Sequence, residues 1–367
     1  MMKINRFVFL LSAFLLSANS SIVRASDVND IILDTISPSK LNLKGKIKQF
    51  KEFIYFKTYV NGELKTGKMA KDSDFVVKSK YPTNKCFMFD INGRNTQTQE
   101  FWSPNEIATI QINTFQGKRL IRSNKEYRFS DGIKHSKNTY TYNEKGLITA
   151  SLLYSVWGDL ASKKMYKYDN SNNIVWEREV DGDGEIEYTA TTEYKYENGK
   201  MVYSKETSNQ FGDNEITIKK WGYDAQGRLI SSYTEWGRIY DVAYEYNEKG
   251  LRIKETCNNK DGVYYITTFT YNDNGKLTDK TTTFTDGTIR KDTYEYLSDK
   301  TIHTYTSKNG LVETKQVFVN DNITEYYDGK NTYTYQYTFD AKGNWIKAIE
   351  EKNSVPTYIK VRTIQYF

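Results

Sequence analysis

Aromatic and polar residues alternate along most of this chain with a period of two, and the alternation breaks at regular intervals. Tyr140-Thr141-Tyr142 runs into Asn143-Glu144-Lys145-Gly146. The same figure returns at Tyr166-Lys167-Tyr168, Tyr194-Lys195-Tyr196, Trp221-Gly222-Tyr223, Tyr244-Glu245-Tyr246, Phe269-Thr270-Tyr271, Tyr294-Glu295-Tyr296 and Tyr337-Thr338-Phe339. Residues i and i+2 of a strand share a face, so each figure predicts a strand with one aromatic face. The second aromatics, at 142, 168, 196, 223, 246, 271 and 296, recur at nearly constant steps, which marks an internal repeat.

The Asx-x-x-Gly that follows ends the strand. Asx side chains bond their own backbone in turns, and Gly accepts the positive φ of a tight hairpin. Half a repeat later a second turn appears, as at Asp261-Gly262, Asp286-Gly287 and Asp328-Gly329. Each repeat is therefore two strands and two turns, and a string of them is an antiparallel meander. Phe87-Met88-Phe89-Asp90-Ile91-Asn92-Gly93 and the Asn61-Gly62 turn carry weaker copies towards the N-terminus.

Composition fits this reading. Tyr supplies 31 residues and Pro 4, and mean hydropathy is −0.72, so the sheet is wet on much of its surface and its core is thin. Lys3 and Arg6 precede the apolar run Phe7–Leu16, and Val23-Arg24-Ala25 fits a cleavage site, the layout of a secretory signal peptide. The formal charge is +6, and half of it comes from Lys3, Arg6 and Arg24, so charge gives no argument for nucleic acid. No later stretch is apolar and long enough for a transmembrane helix. The chain divides into a signal peptide (1–25), a flexible or short-helix lead (26–42), atypical N-terminal repeats (43–126) and the regular array (127–367).

Tyr223-Asp224-Ala225-Gln226-Gly227-Arg228-Leu229-Ile230, followed by Tyr244-Glu245-Tyr246-Asn247-Glu248-Lys249-Gly250-Leu251, resembles the YD repeat of the RHS/YD-repeat superfamily. Tyr337-Thr338-Phe339-Asp340-Ala341-Lys342-Gly343-Asn344-Trp345 resembles the variant found in small exported bacterial proteins of Bacteroidota type. Lys44–Lys48 resembles the opening strand of such proteins and Arg362–Tyr366 the closing one. Large members of that family build a spiral β-shell around a toxin; here no toxin segment is expected after the array. The resemblance implies a fold rather than an activity.

The expectation is an all-β protein: an elongated, curved antiparallel β-meander of tandem two-stranded YD-like repeats, roughly 20 strands, curling at most into a partial spiral. Such an open sheet has two free edges, which invite pairing with another chain. The terminal strand Thr357–Phe367 is accordingly expected to be covered by a cap or used in assembly.

Candidate chemistry is sparse. His135 and His303 are the only histidines, and neither has a Cys or second His at ligand spacing, so no zinc or nucleophile system is expected. Asp181-Gly182-Asp183-Gly184-Glu185 with Glu187 has hard oxygen ligands but lacks the closing acid of a calcium loop, and an acidic turn is the simpler reading. Cys86 and Cys257 read as two separate thiols; a bond between them would need the array to curl back on itself. No cofactor and no metal are expected. Trp157 and Trp236, each before a Gly at a turn, and Trp176 and Trp221 are the candidate ligand-binding residues, because flat rings stack on sugar C–H faces. Asp and Glu are scattered at strand and turn positions, which reads as a solvated face, with a carboxylate-based glycosidase as the catalytic alternative. The reading is a non-catalytic exported protein, periplasmic, at the cell surface or secreted. It acts as a binding or scaffold protein whose partner is unidentified, a glycan or another surface protein. Alternatives are a dedicated glycan-binding module, or a shell or accessory factor for a secreted toxin or hydrolase.

Overall fold

The computed structural model describes residues 36–70, 84–307 and 310–367; the signal-peptide segment 1–25, the first part of the 26–42 lead and residues 71–83 lie outside the described residues. The regular elements are strands: β1 (Ile47–Val60), β2 (Glu63–Met69), β3 (Lys85–Phe89), β4 (Asn95–Ser103), β5 (Glu106–Gln116), β6 (Arg119–Phe129), β7 (Gly132–Tyr142), β8 (Ile148–Tyr154), β9 (Leu160–Tyr168), β10 (Ile174–Asp181), β11 (Ile186–Glu197), β12 (Lys200–Gln210) and β13 (Asp213–Tyr223). They continue as β14 (Leu229–Trp236), β15 (Arg238–Tyr246), β16 (Arg252–Asn259), β17 (Gly262–Tyr271), β18 (Leu277–Phe284), β19 (Ile289–Tyr296), β20 (Thr301–Thr306), β21 (Val312–Val319), β22 (Asn322–Tyr327), β23 (Thr332–Phe339), β24 (Trp345–Lys352) and β25 (Val355–Tyr366). No helix among the described residues is long and apolar enough to cross a membrane.

The hairpin turns follow from the sequence. At Asn143 the backbone N–H donates to the Leu147 carbonyl (2.9 Å), Gly146 N–H returns to the Asn143 carbonyl (2.9 Å), and the Leu147 N–H donates to Asn143 Oδ1 (2.9 Å). The closing residue is in the left-handed region, Gly146 at φ 85°, and the ladder shifts register there, so each Asx turn carries a bulge. Asn172, at φ 69°, takes the glycine's place in the Asp169 turn.

The expected open meander is overturned by its own ends. β1 pairs with β25, Ile47 opposite Tyr366, Glu52 opposite Arg362 and Phe56 opposite Tyr358. The other edge of β1 pairs with β3, from Gln49 opposite Met88 to Glu52 opposite Lys85. From β3 to β25 every strand pairs antiparallel with the next, so 24 strands close into a barrel and β2 stands outside the ring as a flap on the far half of β1. The chain is neither an elongated open sheet nor a partial spiral. The physical reason is the edge: closure satisfies the backbone groups that an open meander would leave unpaired. The terminal strand is covered by the opening one.

Pairing puts the residues on two faces. One runs Tyr166–Glu177–Ala190–Ser208–Glu215 across β9 to β13 and carries the Tyr-x-Tyr positions. Its members Tyr166, Ala190, Ser204, Cys257, Thr267, Tyr333 and Ala348 are buried, as befits the concave side of a closed ring. The other face is wetter and carries ion pairs in mid-wall, Lys254–Glu245 (2.8 Å), Lys291–Asp279 (2.7 Å) and Lys315–Glu325 (3.5 Å). Ion pairs and ring contacts join strands no more than two apart in the ring, as in Lys125–Glu100 and Tyr240–Tyr264. Many inner side chains stay partly exposed, His303 by 25% and Lys164 by 33%. The barrel is therefore hollow. Among the described residues, a dense apolar cluster lies at the seam, where Leu41 and Leu43 pack on Ile47, Phe50, Phe87 and Phe89.

Candidate functional site

Hairpins alternate between the two ends, so the barrel has two unlike rims. At the rim of Asx-x-x-Gly turns, each repeat is tied to the one before. The Tyr142 hydroxyl donates to the Leu120 carbonyl (2.6 Å), Tyr168 to Ile148 (2.6 Å), Tyr246 to Leu229 (2.7 Å), Tyr271 to Arg252 (2.6 Å) and Tyr296 to Leu277 (2.9 Å). The basic residue after a turn lies over the aromatic of the next repeat, Arg228 over Tyr246 at 4.9 Å and Lys276 over Tyr296 at 4.8 Å. Burial, then the neighbouring Tyr140, pushes the Tyr142 hydroxyl up to about 12, so it stays a donor at physiological pH.

The lumen wall mixes rings with charges. Glu52 accepts from Arg362 Nε (2.7 Å), whose guanidinium lies 3.3 Å from the centroid of the Trp345 ring. Lys85 pairs with Glu100, and Lys125 reaches the same carboxylate at 3.7 Å. His303 Nε2 bonds Asp292 (2.8 Å) and stacks flat on Tyr294 at 4.5 Å, a role that a solvated strand histidine does not have. Burial pushes Glu177 up, and Glu206 and Glu179 add to it against the pull of Lys164; Glu206 is raised in the same way.

One hollow of about 360 Å³ is set into this wall on β16 to β18. Tyr265, Phe269 and Phe284 supply its rings, Thr267 and Thr282 its hydroxyls, and Arg252, Glu255 and Lys280 its charges. Glu255 is already engaged, by the Tyr265 hydroxyl (2.8 Å) and by Arg252 (3.3 Å), and burial followed by that carboxylate raises Tyr265 far above its usual range. Arg252 and Lys280 leave this hollow net cationic. Of these residues the sequence marks only Phe269, and as a repeat position rather than a ligand-binding one. Their signal was the parity of the strand: each stands on the Tyr-x-Tyr face.

The four tryptophans are not brought together. Trp157 is 74% exposed at the β8–β9 turn, under Lys134 Nζ at 4.5 Å. Trp236 ends β14 on the same rim, 43% exposed, its Nε1 donating to Glu215 (3.0 Å). Trp176 lies half-buried on the outer face between Lys167 and Arg178. Trp221 is half-buried on the inner face. Asp181 accepts from the backbone of Asp183 (3.0 Å) and Glu185 (2.9 Å), an acidic turn, and no metal-holding group of side chains is found among the described residues. Gly182 is required there, because a Cβ would collide with the Leu160 carbonyl. Cys86 and Cys257 are separate buried thiols.

No family model matches the chain, and no curated protein does. Among solved structures the TcdB2-TccC3 complex overlays at 14% identity and a TM-score of 0.33, over 84% of this chain and 19% of that one. A porin-like protein from Bacteroides uniformis overlays at 14% identity and a TM-score of 0.26, over 66% of this chain and 95% of that one. This chain spans about a fifth of the TcdB2-TccC3 chain that it matches. At these scores neither overlay carries an argument about function.

Proposed function

We propose that this is a non-catalytic exported barrel that acts as a binding scaffold, with its lumen wall as the binding surface and glycans, acidic ones above all, as the ligand class. The observation behind this is the inner face of rings, hydroxyls and charges, with a hollow of about 360 Å³ on β16 to β18. Flat rings such as Phe269 and Phe284 accept sugar C–H faces, Thr267 and Thr282 offer hydroxyls, and Arg252 with Lys280 suits a carboxylate. Several titratable groups of the wall are occupied with each other, Glu255 with Tyr265, His303 with Asp292 and Glu52 with Arg362. The outer wall argues for a barrel standing in water, because its mid-wall ion pairs occupy the band that a lipid-facing barrel keeps apolar. Export rests on the N-terminal leader pattern, and the YD-repeat kinship on the motifs given above.

The test is a glycan array with the mature protein, spanning neutral and uronate-bearing oligosaccharides, repeated with Phe269→Ala and Lys280→Ala. The expected result is binding to acidic glycans that each substitution weakens about tenfold or more. An absence of binding at high protein concentration, or binding indifferent to both changes, overturns the reading.

A further inference from the structure

The rim opposite the Asx turns is greasy. Among the described residues, all but one of its hairpins (Asp328–Asn331) carry at least one exposed large apolar side chain, including Trp102 at 58%, Phe129 at 49%, Trp157 at 74%, Phe211 at 72%, Trp236 at 43% and Leu311 at 68%. The Asx rim and its strand ends expose fewer, Ile91, Leu297, Phe339 and Phe367 among them, and there the turn residues Leu147 and Ile148 are fully buried. Scattered exposed apolar residues need no explanation, but a nearly continuous ring of them does. Phe211 sharpens the point. It is held at φ 50° in a two-residue turn with Gly212, where Asn or Gly is the usual residue, and it projects with little packing in return.

We infer that this rim is the docking surface for a second copy of the chain, rim to rim about a two-fold axis. Two features select that occupant. The first is area. At about 150–250 Å² for a large aromatic side chain, the rim's apolar side chains expose on the order of 2,000 Å², so burying even half exceeds the roughly 800 Å² per partner of a stable interface. The second is charge. The rim interleaves both signs, Asp131 with Lys134, Lys260 with Asp261, Asp286 with Arg290, and such a pattern can meet itself across a two-fold axis. An anionic bilayer would be repelled by the acidic turn Asp181–Glu185 on the same rim. Docked this way, two barrels close each other's apolar mouths and join their lumens into one chamber that remains open at the two Asx rims. This inference does not depend on what the lumen binds.

The test is sedimentation velocity and light scattering on the mature protein up to about 100 µM, with the double variant Trp157→Asp/Phe211→Asp alongside. Wild type is expected to sediment as a dimer. The variant should dissociate on the order of a hundredfold more readily while keeping its β-sheet circular dichroism. A monomeric wild type overturns the proposal, and so does a dimer that the double variant leaves intact. Co-flotation of a monomeric wild type with phosphatidylcholine vesicles would overturn it in favour of lipid.

Discussion

The two ends of the barrel are built from the same strands, yet only one of them is tied by a bond that recurs from repeat to repeat. At the Asx end, hydroxyl-to-carbonyl bonds and cation–ring contacts link repeat to repeat, and the turn residue Leu147 is fully buried. At the other end hairpins are tied by scattered contacts, such as Trp236 Nε1 to Glu215 (3.0 Å) and the Asn353 N–H to the Thr332 carbonyl (2.7 Å), and all but one present an apolar side chain outward. Within a single repeating sheet, local order and outward stickiness are thus divided between alternate turns. The Asx end carries the recurring ties, and the opposite rim carries most of the exposed apolar side chains.

The largest test of that division is at the seam. Glu52→Ala would leave the Arg362 guanidinium, now only 15% exposed, without its partner. Removing one member of a buried pair costs about 3–5 kcal/mol, and this pair sits where β1 closes on β25. The rim substitution Trp157→Ala should change monomer stability by no more than about 0.5 kcal/mol. Urea unfolding at concentrations low enough for the monomer decides it: comparable losses for the two variants would erase the contrast.

A finer test lies in the tyrosine ladder. Tyr271→Phe keeps the ring and removes only the hydroxyl that donates to the Arg252 carbonyl. The expected loss is about 0.5–1.5 kcal/mol. Tyr59→Phe on the apolar side, 54% exposed, should lose almost nothing. If both are neutral, the hydroxyls are decoration and the bulged turns alone carry the Asx end.

Much of this was legible in the sequence, for local reasons. Aromatics at i and i+2 fixed a face, and Asx-x-x-Gly fixed a bulged turn, because both depend on neighbours only. Closure was not legible. Lys44–Lys48 and Arg362–Tyr366 stood out as an opening and a closing strand, yet nothing in either says that Ile47 will lie opposite Tyr366. That outcome depends on twist summed over the whole ring, which no single repeat reports. Each candidate tryptophan stands out in the sequence only by its own neighbours. Trp157 and Trp236 do project at turns, but their meaning comes from Phe129, Phe211 and Leu311 at the same level, a pattern visible only once the alternate turns are known to share a rim.

The smallest effect concerns pH, and it separates the Asx end from the middle of the wall by sign. At the Asx end, desolvation raises Asp224, but the Arg228 backbone N–H and guanidinium outweigh it and hold the carboxyl below its ordinary range. A depressed acid contributes stability above its unfolded pKa and loses it as pH falls, so acid should loosen this end. Glu177, in the wall, is raised by burial first and by Glu206 and Glu179 next. A raised acid favours the fold while protonated, below its unfolded value near 4.5, and that contribution is lost as pH rises through the folded value. Glu177→Gln should therefore melt higher than wild type at pH 7–8, by no more than about 1 kcal/mol, and match it near pH 4. A variant that is less stable at neutral pH would mean that Lys164 needs this carboxylate more than burial penalises it, and the wall would then resemble the Asx end after all.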